Sequence, residues 1–188
     1  MVNNIQKLVE DLLQRDQQRS YYASRELIAR GRDSVDVLVS MLPTATDQQR
    51  WRIIHVLSKI ADPRAIPAII DCLHSSSPAI QAMAAQFLGE MQSDMAVEPL
   101  VQLLRTSPNN NSIVWIIQAL GKLRSSRAVE SLIYIVRTTE SEAIRYTAIE
   151  ALGMIGDPQA ACVIEPYVNH QSHHVRNRAE QALRILNL

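Results

Sequence analysis

Aromatic residues are scarce in this 188-residue chain: one Phe, two Trp and five Tyr make up 4% of it. Glycine numbers five and cysteine two. With so few aromatics and no long window of alternating apolar and polar residues, an all-β sandwich is excluded, and five glycines leave little for a Gly-rich phosphate cradle. An excess of charge of either sign is also missing. Lys plus Arg and Asp plus Glu both number 19, and Lys7, Lys59 and Lys122 are the only lysines. Such a chain is not built to neutralise a phosphate backbone, and nucleic acid is not an expected partner. No apolar run approaches the roughly 20 residues that cross a bilayer, so no membrane insertion is expected. One of the longest, Leu132 to Val136, is bounded by Ser131 and Arg137. The opening Met1 to Glu10 mixes polar residues into its apolar ones and runs on into helical periodicity, which fits neither a signal nor a transit peptide and points to the cytoplasm. Cys72 and Cys162 lie in apolar stretches without zinc-type spacing, and both are expected to be small buried hydrophobes.

What the chain does have is 47% apolar residues, enough for a real core, and a period. Leu27, Leu57, Leu88, Leu120, Leu152 and Leu183 recur at intervals of 30, 31, 32, 32 and 31 residues. Around the later members the strings agree: Phe87-Leu88-Gly89, Ala119-Leu120-Gly121, Ala151-Leu152-Gly153. Each unit then turns and restarts at a residue able to cap a helix, Asp62, Ser93, Ser125 or Asp157, with Pro63 and Pro158 suited to the first helical position. A first helix follows, as in Ala65-Ile66-Pro67-Ala68-Ile69-Ile70 or Ala128-Val129-Glu130-Ser131-Leu132-Ile133. Pro67, Pro99 and Pro166 fall within such helices and are expected to bend them. Short polar connections, 74–78, 106–111, 138–141 and 169–172, lead to the second helix and suit antiparallel neighbours. A two-helix unit cannot bury its own apolar face. Stacking buries it, so the expected fold is all-α, an α-solenoid of about six helical hairpins in a single domain over 1–188.

Asp62-Pro63-Arg64 followed by Ala65-Ile66-Pro67-Ala68, and the run from Ile144-Arg145 through Ala148 to Ala151-Leu152-Gly153-Met154-Ile155-Gly156-Asp157-Pro158, resemble HEAT repeats. More narrowly, they are similar to the HEAT-like repeats named after the phycobilisome lyases of cyanobacteria. The resemblance covers about five of the six units. It implies the solenoid, and a function drawn from bilin lyase subunits, pigment-degradation factors or plain adaptors. Tyr21-Tyr22-Ala23 resembles the opening of a motif in one lyase subunit, which continues with a Trp pair where this chain has Arg25 and Glu26. Asn169-His170 is similar to the start of an Asn-His-Cys motif of isomerising lyases, with Gln171 where the Cys would stand.

Two sets of positions stand out when each repeating Leu is taken as zero. Seven residues earlier come Ser20, Arg50, Gln81, Ile113, Arg145 and Arg176, on the same side of the helix as the Leu. Resemblance to HEAT units implies that Arg50, Arg145 and Arg176 form a structural ladder, meeting an Asp of a neighbouring turn such as Asp62 or Asp157; Arg145 and Arg176 are each expected to reach a carboxylate or a turn carbonyl in an adjacent unit. Six residues before the Leu come Tyr21, Trp51 and Tyr146, with Tyr22 and Trp115 one place further on. These are five of the chain's eight aromatics, in one narrow region of the second helices, which in HEAT-like stacks line the concave side. Aromatics there make good binding anchors, and Arg25, Arg52 and Arg178 lie close enough to add a positive fringe.

Catalytic chemistry finds little support. No Ser/His/Asp or Cys/His arrangement can be assembled, no His is followed by Glu as a HEAT-repeat di-iron hydroxylase requires, and of His170, His173, His174 and Cys162 the three histidines sit in a polar connection without a carboxylate at ligand spacing among them. The expected function is a non-catalytic adaptor with no resident metal or cofactor, holding a protein partner in its groove through Tyr21, Tyr22, Trp51, Arg52, Trp115, Tyr146 and Arg178. The setting that the resemblance implies is the phycobilisome or tetrapyrrole metabolism, with a phycobiliprotein or a second HEAT-like subunit as partner. The alternative is a bilin lyase or chromophore-handling subunit that binds a bilin transiently between aromatic faces and arginines.

Overall fold

The computed structural model describes residues 2–106 and 110–186, and among them every regular element is helical. Six antiparallel hairpins follow one another. The first is α1 (Val2–Leu13) with α2 (Gln17–Arg30), the second α3 (Val35–Met41) with α4 (Asp47–Ile60), and the third α5 (Ile66–Cys72) with α6 (Pro78–Met91). Then come α7 (Val97–Thr106) with α8 (Asn110–Leu123), α9 (Val129–Thr138) with α10 (Glu142–Ile155), and α11 (Ala161–Ile164) with α12 (His173–Ile185). Residues 107–109 of the connection expected over 106–111 lie outside the described residues. The architecture is an α-solenoid, and it divides into two compact units, residues 1–87 and 88–188. In the first unit α2 packs on α1 and α4; in the second α10 packs between α8 and α12.

The repeating leucines form the floor of these interfaces: Leu27, Leu57, Leu88, Leu120 and Leu152 are buried, and Leu183 is half-buried, where Ala182 takes the inner place. The glycine after the Leu has its own purpose in the second unit. A Cβ at Gly89, Gly121 or Gly153 would come within 2.8 to 3.0 Å of Ala119, Ala151 or Ala182, the residue before the next repeating Leu. Glycine against alanine therefore lets successive second helices approach backbone to backbone.

Several local expectations take a different form. Asp62 and Asp157 accept from the backbone N–H of Arg64 and Gln159, as caps should, while Ser93 and Ser125 make no side-chain cap. Each cap opens a single 3-10 turn before the helix proper. The prolines do not bend helix interiors. Pro67 and Pro99 stand in the first turns of α5 and α7, and Pro166 near the start of the 3-10 turn Glu165–Asn169, positions where a missing N–H breaks no intrahelical bond. Cys72 is buried, but Cys162 is exposed. It occupies the register of Glu98 and Glu130, the outward position of the first helix, while its neighbours Ala161, Val163 and Ile164 face inward.

Candidate functional site

In the first unit a groove of about 260 Å³ opens between α2 and α4, lined by Leu12, Gln17, Ser20, Tyr21, Ser24, Trp51, Arg52 and His55. Trp51 is 50% exposed, and its ring lies flat on that of His55, 5.6 Å between centroids and 2° from parallel, as the four-residue spacing on one helix face allows. Tyr21 and Tyr22 are more exposed still and meet edge to face at 5.8 Å. The Arg25 guanidinium stands 6.0 Å from the Tyr21 ring centre. Arg52 is not a free fringe cation: its Nη1 donates to the carbonyls of Leu12, at 2.9 Å, and Gln14 at the end of α1. Those carbonyls have no intrahelical partner and carry the negative end of the helix dipole, so a nearby guanidinium settles there.

The second-helix face of the second unit is different in character. Trp115 is 42% exposed on α8, and Tyr146, half-buried on α10, lies 6.1 Å from the His174 ring of α12. Around them charges are matched: Lys122 pairs with Glu90 at 3.8 Å, and Arg178 with Glu150 at 3.2 Å and with the Gln181 Oε1 at 3.0 Å. Arg178, like Arg52, is thus engaged within the chain.

Where the position seven before the repeating Leu is polar it does one job in both units: it meets carbonyls, one of the expected partners of Arg145 and Arg176, but in its own hairpin and not in an adjacent one. The Arg145 Nε donates to the Val136 carbonyl at 3.4 Å and its Nη2 to that of Thr139; Arg176 Nη1 donates to His170 at 2.7 Å and Gln171 at 2.9 Å; Arg50 donates to Leu42 and Pro43 at 3.2 and 3.3 Å. Gln81 reaches the Ser75 carbonyl and Ser20 the Leu12 carbonyl, both at 2.9 Å. Each side chain closes the carbonyl end of the first helix in its own hairpin. The Arg–Asp links between hairpins come from the opening 3-10 turns instead. Arg64 bonds Asp62 at 3.0 Å and Asp36 at 2.9 Å, and Arg127 meets Asp94 at 3.2 Å. Asp157 caps its own turn through Gln159.

Comparison with known proteins follows the same lines. The family of HEAT repeats matches residues 35–114 and 97–184. The chain belongs to that family. No curated protein matches it. Among solved structures, a designed armadillo repeat protein in complex with the peptide (KR)4 is similar at a TM-score of 0.70 and 19% identity, covering 97% of this HEAT chain and 99% of that one. The complex of CpcE and CpcF of phycocyanin lyase from Nostoc sp. PCC7120 is similar at 0.53 and 19%, covering 96% and 91%. Human deoxyhypusine hydroxylase is similar at 0.53 and 15%, covering 98% and 96%. At these identities the likeness is one of fold.

Among the described residues of this HEAT chain, no group of His, Cys, Asp and Glu is placed to hold a metal ion, and no helix is long and apolar enough to cross a membrane. Sequence reasoning missed His55, although its spacing from Trp51 was open to view, and it missed the exposed Tyr134 and Met95 on the first-helix side. It also passed over Lys59, one further turn along the stripe from Trp51 and His55, which is exposed.

Proposed function

We propose that this HEAT-repeat protein is an adaptor without catalytic chemistry of its own, and that it holds a protein partner on the aromatic second-helix face, with the repeats acting as one domain. The observation that carries this reading is Trp51. A half-exposed indole stacked on a histidine, beside Tyr21 and over a groove, presents large rigid area that costs little entropy to bury on a partner. The armadillo fold relative that holds a peptide supports the same reading, because stacked helical hairpins present side chains of successive second helices to an extended chain. Replacing Trp51 and Trp115 together by Ala should abolish partner capture from a cell extract while helical circular dichroism stays unchanged. Retained capture, or loss of the helical signal, would show that these rings serve elsewhere.

A second reading, a bilin-handling subunit in phycobilisome biology, draws on the fold likeness to the phycocyanin lyase complex and on the flat aromatic groove. Of the three arginines that would grip bilin propionates, Arg52 and Arg178 are already bonded inside the chain and Arg25 forms no ion pair among the described residues, so two of the three weigh for the adaptor. Mixing the purified protein with phycocyanobilin separates the two. We expect no change in the absorbance spectrum, and a shifted, sharpened band would favour the pigment.

A further inference from the structure

Charge is sorted between the two helix layers of the first unit. The second helices α2 and α4 carry six cations, Arg19, Arg25, Arg30, Arg50, Arg52 and Lys59, against Glu26 and Asp47. The first helices α1, α3 and α5 carry Lys7 against Glu10, Asp11, Asp36 and Asp71. Much of the positive charge is consumed locally: Arg19 pairs with Asp16 at 3.6 Å, Arg50 with Asp47 at 3.5 Å, and Arg52 with carbonyls. Arg25 and Lys59 are exposed, and among the described residues neither forms an ion pair. They follow the aromatics at helical spacing, Tyr21 to Arg25 on α2 and Trp51 through His55 to Lys59 on α4, so each stripe runs from ring to cation along its own helix.

From this juxtaposition we propose that the α2–α4 groove docks an acidic peptide segment that also bears an apolar side chain. The apolar side chain lies against Trp51 and Tyr21, and its flanking carboxylates face Arg25 and Lys59. The inference rests on the adaptor reading and adds the chemistry of the partner. Two cations without ion pairs among the described residues, Arg25 over the Tyr21 ring and Lys59 two turns along α4 from Trp51, match carboxylates flanking an anchor. They are too few to track a phosphate backbone, whose affinity grows with each charge neutralised, and the chain as a whole has no net charge.

Selection from a random-peptide display library tests it, using the full chain, with mixed-sequence oligonucleotide as competitor. Selected peptides should be enriched in Asp and Glu around an apolar residue and should be lost with Trp51→Ala. Their affinity should fall about tenfold with Arg25→Glu and Lys59→Glu together, which remove two surface charge pairs and oppose the ligand. Arg25→Gln with Lys59→Gln should give a smaller loss in the same direction, and Arg137→Glu, on an exposed first-helix position, none. If selection depends on Trp51 but yields neutral or basic peptides, the acidic assignment is wrong and the adaptor reading stands. If no selected peptide depends on Trp51, the adaptor reading itself fails. Displacement by the oligonucleotide would overturn the assignment in favour of nucleic acid.

Discussion

At the position after the repeating Leu, the second unit has Gly89, Gly121 and Gly153 where the first has Ile28 and Ser58. In the second unit a glycine meets an alanine with no room for a Cβ, while the residues at the matching register of the first unit, Ile28 and Val56, and Ser58 and Phe87, all carry a side chain that such an approach would have to accommodate. Their outer faces differ in the same sense. Lys122 and Arg178 are neutralised by Glu90 and Glu150, whereas Arg25, over the exposed Tyr21 ring, and Lys59, further along the helix from Trp51, have no carboxylate paired to them among the described residues. One repeat pattern thus supports two solutions at these places: Lys122 and Arg178 matched by carboxylates of neighbouring second helices, and Arg25 and Lys59 left without one. Unmade interactions on a well-packed scaffold are what a binding surface consists of.

The largest test of that contrast is in the core. Leu120→Ala removes a fully buried side chain between tightly approaching helices and should cost about 2–5 kcal/mol in denaturant unfolding. Leu57→Ala, equally buried, should fall toward the low end of that range, because looser joints can collapse into the cavity. Equal costs would say that the joints do not differ in stiffness.

Next comes the carbonyl-closing position, where Ile113 of the second unit breaks a series otherwise made of polar side chains. Arg145→Ile copies that break. It removes two carbonyl bonds and the guanidinium 5.9 Å from the Tyr167 ring, whose hydroxyl donates to the same Val136 carbonyl at 3.1 Å, and should cost about 1–3 kcal/mol. Arg145→Lys should recover little of it, because an ammonium cannot span both carbonyls while stacking on the ring. Full recovery by Lys would mean that charge alone suffices.

These sites also mark how far the sequence was legible. The Leu period, the hairpins and the burial of Leu27 to Leu152 follow from apolar spacing, which encodes a face directly. Turn carbonyls were anticipated beside carboxylates as partners of Arg145 and Arg176, but their place in the same hairpin was not, since a backbone carbonyl leaves no mark in a sequence and an Asp does. The true Arg–Asp links, Arg64 to Asp36 and Arg127 to Asp94, were within reach in Arg64-Ala65 and Arg127-Ala128, the same dipeptide two residues after Asp62 and Ser125. Exposure of Cys162 was legible too, from its register with Glu98 and Glu130, and was overridden by its apolar neighbours. The sorting of free from engaged cations was out of reach, because Arg25 and Arg52 differ only in whether a helix end lies within their span.

A smaller effect is expected at the joints themselves. Gly153→Ala places a Cβ 2.8 Å from the Ala182 Cβ and 2.9 Å from its Cα, so a backbone must move. Overpacking of about 1–3 kcal/mol is partly offset by about 1 kcal/mol of helix propensity, leaving a net loss of about 1 kcal/mol. Ser58→Ala at the matching place in the first unit should stay within about 0.5 kcal/mol. A stabilised Gly153→Ala would show that the glycine is not there for helix approach.

The smallest expected effect appears only in acid, and in the first unit. The Arg64 side chain, bonded to the nearly buried Asp62, holds that carboxyl below the usual carboxylate value, aided by the Arg64 backbone N–H and the charges of Arg64 and Arg32 and opposed by burial. A folded-state value below the unfolded one means the unfolded chain takes up the proton first, so the stabilisation is present above the ordinary carboxylate range and is lost as pH falls through the lowered value. Protonation of Asp62 releases Arg64, which also bridges to Asp36 and to the Arg32 carbonyl at 2.7 Å, and so loosens the link between the second and third hairpins. Hydrogen exchange should therefore quicken around residues 62–66 below the ordinary carboxylate range and before the Leu120 region of the second unit changes. Asp62→Asn, with no charge to lose, should remove that step while leaving the rest of the acid profile in place. If the second unit exchanges first in the unaltered protein, the network is not the acid-sensitive element, and the contrast between the units does not extend to their charge.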